Sequence, residues 1–277
     1  MNPKTGSLIL VATPIGNLAD ISLRAIETLR QADYIAAEDT RHSGKLLKTY
    51  EISTKMISLH KFNETEKRAQ LLHLMQNGST IALISDAGTP GICDPGEDLV
   101  RACIEQNIAV RSVPGANAAL TALVVSGFAT SPFSFYGFLP KKRAERLTLL
   151  KTIADISHTT LFYESPHRLL DTLSMIEETM PRRRICLCRE LTKLHEEITR
   201  DTAANILASY ENKPVKGEIV LVIEGACLVE QTLTLSEAKA LVEEYIQTGM
   251  TKNEAIKEVC RRYQIHRQSL YRTLTSN

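Results

Sequence analysis

Short apolar runs alternate with amphipathic stretches along most of the chain. Residues 8–12 and 80–84 are apolar runs with the length of buried strands, and turn-forming residues follow each of them. Between such runs, stretches such as residues 22–31 place apolar side chains at helical spacing. Strands that alternate with helices predict an α/β fold with a mostly parallel sheet.

Two breaks interrupt this pattern. A helical stretch stops and a new strand begins across residues 127–132, and residues 225–231 form a polar link. We therefore predict an N-terminal α/β domain at residues 1–128, a second α/β domain at 129–228 and a small C-terminal helical module at 229–277.

The predicted module has the spacing of a helix-turn-helix. Capping boxes begin helices at Thr234 and Thr251, and a last helix begins at Arg267. Residues 251–277 hold six Lys and Arg against two Glu, a net charge of +4, which suits a surface that faces phosphates. A three-helix packing module without a nucleic-acid role is the alternative.

The composition is that of an ordinary globular protein. Of the 277 residues 43% are hydrophobic and 23% are charged, and no apolar run is long enough to cross a bilayer. The N-terminus lacks the features of a secretory signal, and the six Cys show no zinc-binding spacing, so we expect a soluble, cytoplasmic protein without a metal site. The net charge of +1 requires any nucleic-acid contact to be local.

One loop has the character of a ligand site. Residues 85–96 follow an apolar strand and run into a helix for which Asp94 is the predicted N-cap. Gly88 and Gly91 permit positive φ and a close approach of the backbone to a ligand. A long connection that binds nothing is the alternative.

Charged residues collect at the ends of other predicted strands. Residues 38–42 contain two acids, an Arg and a His, and His60 follows the next strand. In the second half, residues 164–168, 189–193 and 216–218 repeat this placement. Open α/β sheets bind ligands at the carboxyl ends of their strands. The alternatives are that Asp39 caps a helix and that the other charges form surface ion pairs.

Common catalytic motifs are absent from the chain. It has no P-loop, no GxGxxG after the first strand, no HExxH and no GxSxG. The residues alone therefore indicate a two-domain α/β protein with the layout of an enzyme, without a named reaction.

Six motifs in order resemble those of the tetrapyrrole methylase family. They extend from the first strand to about residue 225, and they are TPIGNLAD (13–20), AEDTR (37–41), SDAGTPG (85–91), FYESPHR (162–168), RELTK (189–193) and KGE (216–218). The central loop departs from the Gly-Asp-Pro form common in the corrin and diphthamide members. The resemblance implies a two-domain tetrapyrrole-methylase-like fold, with S-adenosylmethionine in the cleft between the domains.

The branch of the family that these motifs resemble methylates the ribose 2′-hydroxyl of a cytidine in the decoding region of 16S rRNA. The resemblance therefore implies the 30S ribosomal subunit as substrate and a homodimer as assembly. By position, it implies contacts to the methyl donor from Pro14, Asp86, Gly88, Gly91, Ala116, Ala118, Ala119, Phe162, Tyr163, Leu187 and Gly217.

A ribose hydroxyl is a weak acid, so a carboxylate or a neutral imidazole would help to remove its proton. We predict Asp39, His60 and Glu190 for this role, in that order. Phosphates would meet Arg41, Arg168, Lys193 and Arg267. Two rival functions stay open, namely a precorrin-type tetrapyrrole methylase and a non-enzymatic DNA-binding regulator with an α/β sensor domain.

Overall fold

The structure, a computed structural model, describes residues 6–60, 62–211, 214–226, 234–263 and 265–275 of the chain. The chain divides into two compact units, residues 1–226 and 227–277. The first unit contains two five-stranded sheets. The predicted boundary near residue 128 falls between these sheets, and the division into three domains stays a prediction.

The first sheet is parallel throughout its described strands. Its order is β3-β2-β4-β1-β5, and every pair of neighbours runs in the same direction, as predicted. The strands are β1 (Ser7–Val11), β2 (Tyr34–Ala37), β3 (Met56–Ser58), β4 (Thr80–Ile84) and β5 (Ala109–Val113). The helices are α1 (Leu23–Gln31), α2 (Thr40–Thr49), α3 (Glu64–Gln76), α4 (Glu97–Glu105) and α5 (Ala118–Ser126).

Helices cover both faces of this sheet. Leu29 of α1 and Leu47 of α2 pack with Ile35 on one face, while Leu71 of α3 and Leu99 of α4 pack on the other. A sheet that is buried on both faces needs apolar side chains in both directions, which explains the continuous apolar runs in the sequence. Polar side chains that could bind a ligand therefore lie mainly in the loops at the ends of the strands.

The second sheet is mixed, which corrects the prediction of a mostly parallel sheet for this half. Its order is β6-β7-β10-β8-β9; β6 and β7 are parallel, and the other described pairs are antiparallel. The strands are β6 (Phe133–Phe138), β7 (Thr159–Glu164), β8 (Arg184–Arg189), β9 (Glu197–Thr202) and β10 (Ile219–Ile223). The helices are α6 (Arg143–Ile153), α7 (Leu169–Thr179) and α8 (Ala203–Ser209).

Strand β9 was not predicted from the sequence. Its residues EITRDT are mostly polar and half-buried, because β9 is an edge strand with an exposed face. One face of the second sheet packs on Leu150, Leu173 and Ile206 of its own helices. The opposite face packs on α5, so this helix joins the two sheets of the first unit.

One predicted helix start and one predicted capping box are wrong. Helix α4 begins at Glu97 with Gly96 in the N-cap position, three residues later than the predicted start at Asp94. Asn63 is the N-cap residue of α3, as predicted, but it forms no capping box with Glu66, because its Oδ1 accepts the backbone N–H of His60 at 2.8 Å instead. Glu64 of α3 reaches across to accept the N–H of Gly96 at 3.1 Å. The loops before α3 and α4 are therefore tied together.

The second unit is a small helical module. Its helices are α9 (Leu235–Gln247), α10 (Lys252–Tyr263) and α11 (Arg267–Thr275), and their core includes Val242, Ile256, Val259 and Leu270. The capping boxes predicted at Thr234 and Thr251 are both present. In the described part of the chain, no helix is long and apolar enough to span a membrane.

Candidate functional site

A cavity of about 490 Å³ lies where the loops of the first sheet face the second sheet. The first sheet contributes Ile15, Glu38, residues 86–89 and 92–94, Asn117 and Ala118. The second sheet contributes Phe138, residues 163–166, Cys188, Leu191 and residues 217–220. The volume falls within the range of about 300–1,000 Å³ that is usual for small-molecule sites.

The two loops after β1 and β4 are joined at the floor of the cavity. Thr13 and Gly88 exchange two backbone hydrogen bonds, at 2.8 and 3.0 Å, and the Thr13 hydroxyl donates to the Ser85 carbonyl at 3.2 Å. Gly88 has φ of +82°, and a Cβ there would lie 3.3 Å from Cγ2 of Ile15. The backbone of this loop is therefore held open toward the cavity.

Three carboxylates of the first sheet, Glu38, Asp86 and Asp94, face one another in the wall. Asp86 Oδ1 accepts the N–H of Asp39 at 3.1 Å, and the backbone N–H of Asp86 favours the ionised form of Glu38. Burial, followed by the charges of Asp94 and Asp86, raises the pKa of Glu38 from 4.5 to about 7. Burial raises the pKa of Asp94 to about 6.

The residues that line the cavity include no Lys, Arg or His within the described part of the chain. The negative charges of Glu38, Asp86 and Asp94 are therefore uncompensated there. An opposite charge favours the ionised form of a carboxylate, so a cationic ligand would lower these pKa values and gain affinity in return. The electrostatics of the cavity thus favour a small molecule that carries positive charge.

The second sheet supplies an aromatic and apolar wall. The ring of Tyr163 lies edge-on to Phe135 and Phe138, with ring centroids 4.9 and 5.4 Å apart. Gly217 has φ of +93°, and a Cβ there would lie 2.5 Å from Cγ of Glu190. No side chain fits at that position, because the backbone of Gly217, which lines the cavity, packs directly against Glu190.

The predicted donor residues divide into two groups. Those that line the cavity are Asp86, Gly88, Ala118, Tyr163 and Gly217. Those that do not are Pro14, Gly91, Ala116, Ala119, Phe162 and Leu187. Side chains alternate along a strand, so Phe162 and Leu187 point into the core while Tyr163 and Cys188 face the cavity. The donor contacts themselves stay predictions.

The three predicted catalytic residues lie outside the cavity wall. Asp39 caps α2 by accepting the N–H of Arg41 at 2.8 Å, and this hydrogen bond lowers the pKa of Asp39. The alternative that Asp39 caps a helix is thus confirmed. Glu190 accepts from Lys193 Nζ at 2.8 Å and from the N–H of Glu218 at 2.9 Å, and the bond from Lys193 lowers its pKa. Nδ1 of His60 is buried without a hydrogen-bond partner among the described residues.

The four predicted phosphate contacts differ in availability. The side chain of Arg41 is 92% exposed beside the cavity. Arg168 is paired with the buried Glu164 at 2.6 Å, and Lys193 lies between Glu190 and Glu218. Arg267 begins α11, but its side chain lies outside the described residues. Only Arg41 is thus presented directly to solvent among those whose side chains are described.

Sequence reasoning missed Glu38 and gave Asp94 another role. Glu38 lies inside the charged cluster after β2, but the neighbouring Asp39 was preferred. Glu38 could have been found from its place as the first residue after β2. Ala36 and Ala37 face opposite sides of the sheet, and this alternation of side-chain direction extends one residue further, to Glu38. Asp94 was assigned to a helix cap because it precedes Pro95 and Gly96.

The family model for Tetrapyrrole (Corrin/Porphyrin) Methylases matches residues 7–207. The chain belongs to the tetrapyrrole methylase family. Solved structures of this fold agree with the architecture. Diphthine synthase aligns with a TM-score of 0.61 and 15% identity over 86% of this chain and 95% of its own. Uroporphyrin-III C-methyl transferase from Thermus thermophilus, complexed with S-adenyl homocysteine, aligns with a TM-score of 0.57 and 16% identity over 79% of this chain and 97% of its own.

Sequence relatives within the tetrapyrrole methylases are much closer. A protein of Streptococcus pyogenes serotype M1 is 46% identical over 96% of this chain and 94% of its own length. One from Synechocystis is 45% identical over 96% of each chain, and one from Bacillus subtilis is 42% identical over 96% of this chain and 93% of its own. All three are named ribosomal RNA small subunit methyltransferase I. The predicted family and fold class are confirmed.

Proposed function

We propose that this protein is an S-adenosylmethionine-dependent methyltransferase that methylates the ribose 2′-hydroxyl of a cytidine in the decoding region of 16S rRNA. The near full-length relatives named ribosomal RNA small subunit methyltransferase I support the rRNA substrate. The observation that carries the proposal is the acidic cavity at the loops of the first sheet.

The chemistry of this cavity fits the methyl donor. S-adenosylmethionine carries a sulfonium and an ammonium, which the carboxylates of Glu38, Asp86 and Asp94 would stabilise. The apolar side chains of Ile15, Leu191 and Val220 offer a surface for a purine ring. Gly88 and Gly217, which have no side chain, leave room in the lining for a ligand to approach the backbone. When it is bound, the donor supplies an electrophilic methyl group.

Glu38 is the side chain best placed to accept the proton of the ribose hydroxyl. Burial and the charges of Asp94 and Asp86 raise the pKa of Glu38 to about 7 in the ligand-free protein, and the ionised form that a cationic donor favours is the form that can accept a proton. Glu38 lines the cavity, and a carboxylate has two oxygens that can accept a proton or a hydrogen bond. Asp39 and Glu190 have pKa values below their usual range and are held by other partners. We therefore place Glu38 ahead of the residues predicted from sequence.

The remaining task of the protein is to hold the ribose oxygen in line with the reactive methyl group. Correct positioning of two reactants supplies about 7–11 kcal/mol of rate enhancement in favourable cases. We propose that the 30S subunit is docked partly by the C-terminal module, with a contribution from the exposed Lys141, Lys142 and Arg143. A homodimer in the cytoplasm is also proposed, by family resemblance alone.

Transfer of a labelled methyl group tests the proposal directly. The purified protein, with labelled S-adenosylmethionine, should methylate 30S subunits from cells that lack it, and ribose-methylation mapping should find one cytidine in the decoding region. Fully methylated 30S subunits are the matched control and should accept no label. Label transfer to a precorrin, with none to 30S subunits, would replace the proposal with the tetrapyrrole alternative.

A further inference from the structure

Helix α2 presents a basic face to solvent. Arg41, Lys45 and Lys48 are spaced by four and three residues, so they lie on one side of the helix, and all three are exposed. The opposite side is buried through Ser43, Leu46 and Leu47. The helix contains no Asp or Glu. Of the three cations, only Arg41 has an ion pair among the described residues, with Asp39.

This basic face begins at the rim of the cavity. Asp39 is the N-cap of α2, and its neighbour Glu38 lies in the cavity wall. With a rise of about 1.5 Å per residue, the face extends from Arg41 to Lys48 over roughly 10 Å away from that rim. A polyanion that places one neutral ribose at this rim could therefore lay its phosphates along the helix.

An exposed aromatic ring lies at the same corner of the sheet. Phe62 is 96% exposed in the turn that follows β3, and β3 is the edge strand beside β2. Asn63 closes this turn, since it donates its N–H to the His60 carbonyl at 2.9 Å and accepts the His60 N–H at 2.8 Å. The ring of His60 packs edge-on to Phe62, with centroids 6.2 Å apart.

The turn is also attached to the loop that forms the cavity. Glu64, two residues after Phe62, accepts the N–H of Gly96 at 3.1 Å, and Gly96 follows the cavity residue Asp94. The turn that carries Phe62 is therefore attached by hydrogen bonds to the loop that leads from the cavity to α4. The ring of Phe62 is thus free to stack on a flat partner such as a nucleic-acid base.

We propose that a single-stranded segment of RNA beside the target nucleotide lies on this corner, which is formed by Arg41, Lys45, Lys48 and Phe62. The cations of α2 bind its phosphates, and Phe62 stacks on an unpaired base. Rows of cations combined with exposed aromatic rings are the pattern with which proteins hold single strands. The inference rests on the proposed function, because that function brings an RNA ribose to the cavity at the start of α2.

The chain contains no Trp, which allows a direct optical test. The variant Phe62→Trp has a single indole, whose fluorescence should be quenched when a single-stranded oligoribonucleotide of the decoding-region sequence is added. The matched control is Ile104→Trp, because Ile104 is 62% exposed near the end of α4, at the opposite edge of the sheet. Quenching of Phe62→Trp alone supports RNA binding at this corner. Equal quenching of the two variants, or no quenching of either, overturns it.

The basic face has its own test in the salt dependence of RNA binding. Each single-strand phosphate contact contributes about 0.7 to the slope of log K against log salt, so Lys45→Gln with Lys48→Gln should flatten the slope by about 1.4. The control pair is Arg111→Gln with Lys151→Gln, two exposed cations on β5 and α6, and should leave the slope unchanged. An unchanged slope in the α2 pair would contradict the proposal.

Methylation of 30S subunits separates this inference from the proposed function. If the wild-type protein methylates 30S subunits and the α2 pair raises KM for 30S without weakening donor binding, both proposals hold. If methylation is normal and KM is unchanged in the α2 pair, the surface is wrong and the function stands. If the wild type transfers no methyl group to 30S subunits, the function fails, and the fluorescence titration still decides whether the corner binds single-stranded RNA.

Discussion

The two sheets of the first unit meet at one cavity but bring loops to it in different ways. In the parallel sheet all carboxyl ends lie at one edge, so the loops after β1, β2 and β4 gather there without further arrangement. In the mixed sheet β10 runs antiparallel between β7 and β8. The mixed sheet therefore lines the cavity with residues from the carboxyl ends of β7 and β8 and from the amino end of β10.

The acids from the two sheets also differ in their partners. Glu38 and Asp94 of the first sheet have no cation beside them in the wall, and burial raises the pKa of each. Glu164 and Glu190 of the second sheet are paired with Arg168 and Lys193 at 2.6 and 2.8 Å. Under the proposed function, we expect the unpaired acids of the first sheet to act on the ligand and the paired acids of the second sheet to stabilise the wall.

Glu38→Gln tests the role of the unpaired acids of the first sheet, and it should have the largest effect on activity. A general base contributes about 10²–10⁴-fold, so kcat for 30S methylation should fall by that factor. The free energy of unfolding should stay the same or rise, because the substitution removes a buried acid that is repelled by Asp86 and Asp94. Asp39→Asn is the paired control and should lower kcat far less. A larger loss in the control would return the role of base to Asp39.

Glu164→Ala, unlike Glu38→Gln, should lower the free energy of unfolding. The carboxylate is buried and accepts from Arg168, from the Thr172 hydroxyl and from the Ser165 N–H, each at 2.6 Å. Removing one partner of a buried pair costs about 3–5 kcal/mol, so urea unfolding should show a loss of that order. Lys142→Ala, which breaks the exposed pair with Glu145, should cost at most about 1 kcal/mol. Equal losses would show that Glu164 is not a structural acid.

The pH dependence of donor binding tests whether Glu38 and Asp94 bind the donor in their ionised forms. The pKa of Glu38 is raised to about 7 and that of Asp94 to about 6, so in the ligand-free protein their contribution to stability is complete below about pH 4 and is lost as pH rises through 6–7. A cationic donor needs the ionised forms. Its Kd, measured by calorimetry, should therefore fall as pH rises from about 5 to 7, by up to about tenfold per pH unit for each proton released.

Glu38→Gln is the control for this titration and should flatten the pH dependence without removing it, because Asp94 remains. The two carboxylates repel each other, so the measured values belong to the pair. A Kd that does not change between pH 5 and 7 would mean that the carboxylates do not face the cationic part of the donor.

The smallest expected effect comes from two glycines with similar backbones. Gly88 has φ of +82° and Gly127 has φ of +78°, but a Cβ would contact Ile15 and Ala116 at the first position and nothing within 4 Å at the second. Each Gly→Ala change should cost about 1–2 kcal/mol of stability from the left-handed backbone. Only Gly88→Ala should also weaken donor binding. Matched losses of affinity in both would remove Gly88 from the donor site.

Local features of the fold were predictable from short stretches of sequence. The strands of the first sheet, the capping boxes at Thr234 and Thr251 and the loop around Gly88 follow from side-chain periodicity and turn chemistry. Such signals involve residues a few positions apart, so the chain carries them before it folds. Strand β9 was missed because an exposed edge strand has too few apolar side chains to form a pattern.

The candidate site was only partly predictable for a related reason. The six motifs led to the right loops and to the family, and Asp86, Gly88, Ala118, Tyr163 and Gly217 do line the cavity. Sequence could not choose between neighbours such as Glu38 and Asp39, or Phe162 and Tyr163. That choice depends on which side of the chain faces the second sheet, and this requires contacts between residues that are far apart in sequence.

The succession of strands and helices, and the residues available at their ends, follow from local patterns in the sequence. Tertiary structure decided the antiparallel course of β10, the commitment of Asp39 to the cap of α2 and the burial of Glu38 beside Asp86 and Asp94. The physical reason is that periodicity and capping depend on near neighbours in the chain. The charge state of a carboxylate depends on solvent exclusion and on distant charges, which exist only when the two sheets have packed around the cavity.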